Sequence, residues 1–127
     1  MLWDLWEHAA EFDKVLSGVE SADPAWLRIA VELRQFSDAA ASEDLDSSVA
    51  LALPKAPERV LALVGHGFDL EFICTSPFIE PEPGVAEAYE RKALASLAAV
   101  RSPPLKALAA ECSKRVRLPS KDHAHGA

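Results

Sequence analysis

The chain has 127 residues, half of them hydrophobic, and a formal charge of −7. That length suits one domain around one core. Alanine and leucine dominate the apolar half while glycine is scarce, which favours helix and argues against disorder or a many-turned β fold. No run reaches the roughly 20 apolar residues of a membrane-spanning helix, and the acidic balance disfavours nonspecific binding to nucleic acid or an anionic membrane.

The charge is divided along the chain. Residues 1–90 hold 18 acids against 5 bases, and residues 91–127 hold 8 bases against 2 acids. One reading packs the basic end beside the acidic helices and partly neutralises it. The other leaves an acidic face for a basic partner, and the charge pattern alone leaves both open.

In "MLWDLWEHAAEFDKVLSG", Leu2, Leu5, Trp6, Ala9, Phe12 and Leu16 recur at steps of three or four, one face of a helix that Gly18 would stop. Trp3 lies off that stripe, and His8 is expected in solvent. The segment has no basic start, long apolar run or small-residue cleavage site, so at face value it points to the cytoplasm. A start codon placed after a removed leader is the competing reading. Next, Asp23 and Pro24 form a cap followed by a first-turn proline, the clearest helix start in the chain, with Trp26, Ile29, Ala30, Leu33 and Phe36 as the inward stripe. A third helix is expected from a Ser42 cap, with Leu45, Val49, Ala52 and Leu53 inward and Pro54 as its end.

Pro57 and Glu58 favour a helix in "PERVLALVGHG", although residues 60–64 and 70–74 also fit a pair of buried strands. "FDLEFICT" reads as one or two helical turns capped by Asp69. From Val85, residues Ala86, Tyr89, Ala93, Leu97 and Val100 share a face. After a Ser102 cap, Leu105, Leu108, Ala109, Cys112 and Val116 share another, and the short turn between these two helices makes them an antiparallel hairpin. The fold expected is all-α: a compact single-domain bundle of about six short-to-medium helices over residues 1–120, with 121–127 as a flexible tail.

Cys74 and Cys112 are the only cysteines. An even pair suits a disulfide in an oxidising compartment, the reading favoured here; in the cytoplasm the same two would be small buried hydrophobes. Between them lies "SPFIEPEPG", where Pro77, Pro81 and Pro83 fix φ, remove N–H donors and push each preceding residue toward extended backbone. Phe78 and Ile79 are too apolar for a purely solvated loop. They either tuck into the core or, flanked by Glu80 and Glu82, form a docking strip for a partner protein.

With "ALPKAPERVLALV" upstream and Cys112 downstream, "ICTSPFIEPEPGVAEAY" resembles a set of small uncharacterised proteins exported by Gram-negative bacteria, over roughly residues 24–117. The resemblance implies export to the periplasm and a disulfide, and carries no catalytic residues. The absence of a leader departs from it.

Candidates for chemistry are weak. Glu80 and Glu82 on an exposed loop lack a source of desolvation that would make one an acid and the other a base. His66, with Asp69 and Ser76 farther on, lacks a nucleophile elbow or glycine-rich oxyanion loop and reads as a helix-ending histidine bonding a carbonyl. His123 and His125 in the tail do not make a structural zinc site, and no metal or cofactor is expected. The reading is a non-enzymatic interaction protein of the bacterial cell envelope, of inhibitor or immunity type, with another protein as partner. The alternatives are a cytoplasmic helical adaptor, or a small enzyme or ligand-binding domain using His66 with Glu80 and Glu82.

Overall fold

In the computed structural model, which describes residues 9–117, helices are the only regular elements: α1 (Ala9–Glu20), α2 (Pro24–Arg34), α3 (Ala39–Ala52), α4 (Pro57–Leu61), α5 (Leu70–Ile73), α6 (Val85–Ala98) and α7 (Pro103–Val116). The protein is all-α. One apolar cluster runs from Phe12 on α1 to Val116 on α7 and takes buried side chains from every helix. The stripe residues Leu2, Leu5 and Trp6, with Trp3, His8, His123 and His125, lie outside the described residues.

Helix α3 is the central element, packing on α1, α2, α4 and α5. Its buried set, Ala41, Leu45, Asp46, Ser48, Val49, Ala50 and Ala52, is wider than the expected stripe because neighbours approach it from several sides. Small residues make that approach possible. Helices α6 and α7 pack against each other as the expected hairpin, joined through Ala99–Ser102, and Tyr89, Ala93, Leu97 and Val100 are buried as their spacing requires.

Several sequence expectations are corrected. Helix α1 runs through Gly18 to Glu20, and the residue at its end with left-handed backbone is Ala22, at φ 66°. Gly18 serves packing instead: a β-carbon there would overlap the indole of Trp26, so its absence lets α2 close onto α1. On α2 the expected inward stripe holds in part, with Trp26 and Leu33 packed against the core. Leu27 and Ala30 are buried, whereas Ile29 is 37% exposed and Phe36 47% exposed. Trp26, inward as expected, lies over Gly18, a contact that periodicity within one helix does not encode.

The cap of α3 is Asp38, whose Oδ1 accepts from the Ala41 N–H at 2.8 Å; Ser42 is already inside the helix, bonded to Ser37 Oγ at 2.6 Å. Asp23 caps α2 as expected, accepting from Ala25 N–H at 2.8 Å behind Pro24. Asp69 and Ser102 occupy the cap positions of α5 and α7 without a side-chain hydrogen bond. The strand pair over 60–64 and 70–74 does not form: α4 ends at Leu61, and a turn through Gly65 and Gly67 closes with the Gly65 N–H donating to Phe68 O at 3.1 Å.

Among the described residues, Lys114 and Arg115 of α7 pair with Glu111 of the same helix. A shorter ion pair lies elsewhere among the described residues. Arg34 at the end of α2 meets Asp46 of α3 at 2.6 Å, donates to Ser42 O at 3.2 Å and sits 5.0 Å from the ring centre of the buried Phe68. Both side chains are largely shielded, so the guanidinium binds three elements into one.

Candidate functional site

The proline segment leaves α5 at Cys74 and enters α6 at Val85. Cys74 and Cys112 are joined in a disulfide with their Cα atoms 5.1 Å apart, and both residues are fully buried. The loop therefore starts from a covalent anchor on α7. Residues 76–78 have no regular secondary structure and the chain bends at Ile79–Glu80, with Glu80 at φ 48°, a left-handed conformation that a non-glycine residue adopts at some energetic expense.

The apolar pair is split at the bend. Phe78 turns inward, where its ring meets Tyr89 edge-on at 5.7 Å and 85°, while Ile79 turns outward and is 92% exposed. The expectation that both tuck beneath the loop thus holds for Phe78 and fails for Ile79. Glu80 and Glu82 are exposed beside it. The floor is rigid: the Tyr89 hydroxyl donates to Ala50 O on α3 at 2.5 Å, and burial pushes its phenol far above the ordinary value. Anchored by Cys74 and by Phe78 on Tyr89, the loop holds an isoleucine in water just ahead of two carboxylates, Glu80 and Glu82.

A groove opens on the inner side of the same loop. Its walls are Phe78, Leu51 and Pro54 at the end of α3, and the Val85–Ala88–Lys92–Ala95 side of α6; its volume is about 660 Å³. Lys55 and Lys92 stand at it. The core-face spacing of α6, Tyr89, Ala93 and Leu97, does not anticipate this groove. The spacing of Val85, Ala88, Lys92 and Ala95 is itself helical and was the available signal.

His66 is exposed, in the turn after α4, and its backbone N–H donates to Leu63 O at 2.9 Å. Its imidazole makes no hydrogen bond to the described residues, so the carbonyl-bonding helix end is not realised. It borders a different groove, between α2 and α4, with Leu27, Val31, Glu32 and Arg59. Asp69, Ser76, Glu80 and Glu82 do not line that groove, so neither the imagined nucleophile set nor the pairing of His66 with the loop glutamates is assembled there. Among the described residues no group of three or more His, Cys, Asp or Glu could hold a metal ion, and no helix is long and apolar enough to cross a membrane. No protein family, curated protein or solved structure matches this chain.

Proposed function

We propose that this is a non-enzymatic binding protein of the bacterial cell envelope, of the inhibitor or immunity type, whose contact element is the loop from Thr75 to Pro83. The observation that carries the reading is the exposure of Ile79 on a loop otherwise fastened down, 92% accessible beside the seated Phe78. An isoleucine side chain gains about 1.5–3 kcal/mol when it moves from water into an apolar pocket. A loop already held by a disulfide, prolines and an aromatic contact loses little further entropy on binding. Glu80 and Glu82 favour a pocket rimmed by basic groups. Backbone strain at Glu80 supports the same reading, because such conformations persist where the surroundings enforce them and gather at functional sites.

The envelope assignment draws on the disulfide, which persists in oxidising compartments, and on the resemblance to exported proteins. The partner reading is tested by a photo-crosslinking residue at position 79, compared with one at the exposed Ala110 of α7, in cells making the disulfide-bonded protein. The expected result is one discrete adduct from position 79 that disappears on Glu80→Lys/Glu82→Lys. Equal labelling from both positions, or adducts indifferent to the charge reversal, overturns it. Fractionation of the native gene product, with thiol counting, tests the compartment separately.

A further inference from the structure

We infer that the groove between the end of α3, the proline loop and α6 is a binding site for a small anionic amphiphile: an apolar chain carrying a carboxylate or similar head. This inference does not rest on the partner reading, since it concerns the inner side of the loop rather than Ile79.

The shape comes from α6. Tyr89, Ala93 and Leu97 face the core, and a second side, Val85, Ala88, Lys92 and Ala95, faces the groove. Alanines at 88 and 95 leave a trough where larger residues would have filled it. Leu51, Pro54 and Phe78 complete an apolar lining, and a volume of about 660 Å³ lies within the range of small-molecule sites. The polar groups of the floor are already engaged: Tyr89 hydroxyl to Ala50 O at 2.5 Å and Ser96 Oγ to Pro54 O at 2.6 Å. Neutral polar recognition along the floor is therefore limited, and an apolar chain fits it better.

Charge selects the head group. Lys55 and Lys92 border the groove, no acidic residue lines it, and neither lysine is ion-paired among the described residues. Lys55 Nζ donates to Glu20 O at 2.9 Å, an uncharged acceptor that leaves its positive charge unneutralised. In a chain of net charge −7, two unpaired lysines beside an apolar trough form a local exception that an anionic head would complete.

The probe is dodecanoate below its micellar concentration, titrated into the disulfide-bonded protein and followed by amide chemical shifts and calorimetry. Saturable binding with shifts at Leu51, Ala88, Lys92 and Ala95 is expected. Lys55→Gln/Lys92→Gln should weaken it about tenfold, as should replacing dodecanoate by dodecanol, given the modest strength of exposed charge pairs. Ala88→Leu, which fills the trough, should abolish binding while circular dichroism and the thermal midpoint show an intact fold. Dodecanol binding as tightly as dodecanoate, shifts scattered away from the groove, or binding only at micellar concentrations overturns the inference. So does an acidic amphipathic peptide that occupies the groove when dodecanoate does not. If dodecanoate binding is lost on Ala88→Leu while crosslinking at position 79 persists, the two sites are separate.

Discussion

Reduction of the Cys74–Cys112 bond should remove about 4 kcal/mol of stability. The two cysteines are 38 positions apart, and closing a loop of that length removes about 13 cal/mol/K of chain entropy from the unfolded state on the polymer model, or about 4 kcal/mol at 25 °C. Net stability of a small domain is about 5–15 kcal/mol, so the crosslink decides whether the folded form dominates comfortably or marginally. Urea unfolding with and without a phosphine reductant measures the effect directly, because reduced protein keeps both sulfurs in place. The midpoint should fall, and the slope with denaturant should rise as the freed chain expands in the unfolded state. Cys74→Ala/Cys112→Ala should lose more than reduction does, because both residues are fully buried and the sulfurs also fill space. Crosslinked and reduced forms unfolding within about 1 kcal/mol of each other would refute the reasoning, and would mean that core packing alone retains the loop.

Three other outcomes follow from particular contacts. Asp46→Ala leaves the guanidinium of Arg34 shielded and unpaired; with side-chain exposures of 18% and 12% the loss should be about 2–3 kcal/mol, below that of a fully buried pair, and urea denaturation should show Arg34→Met/Asp46→Leu recovering most of it. Gly18→Ala gains about 1 kcal/mol of helix propensity but forces a carbon into the Trp26 ring, so thermal unfolding should show net destabilisation of about 1–2 kcal/mol. Tyr89 is the only tyrosine, so alkaline absorbance reports its ionisation alone. Its folded pKa lies above the unfolded value of 10.0, so above pH 10.0 the unfolded chain sheds a proton that the folded one keeps, and stability should fall with rising pH. Tyr89→Phe should remove that contribution and cost about 1 kcal/mol at neutral pH through the lost bond to Ala50 O.

Much of the helical architecture was legible because its signals are local. Asp23 before Pro24 starts α2 through the chemistry of two adjacent residues, and the spacing of Tyr89, Ala93 and Leu97 marks a buried face by geometry internal to one helix. The misreadings share a cause. Gly18 looked like a terminator because glycine often ends helices, yet its use is the approach of an indole from the next helix. Ser42 and Asp38 are both good caps on composition; Asp38 takes the role while Ser42 bonds Ser37. The candidate loop was visible through its prolines, but the opposite fates of Phe78 and Ile79 depend on where Tyr89 stands.

By itself, then, the order of residues determined an all-α class of about six helices, with a strand pair over 60–64 and 70–74 left open, and the stiffness of the proline stretch, since these follow from backbone torsion, capping and periodicity within a few residues. Tertiary packing decided the rest. The joining of Cys74 to Cys112, the brace of Arg34 between Asp46 and Phe68, the display of Ile79 and the trough beside Lys55 and Lys92 all bring together residues distant in sequence. Those positions depend on how neighbouring helices rotate and close on one another, and no local pattern of side chains specifies that rotation.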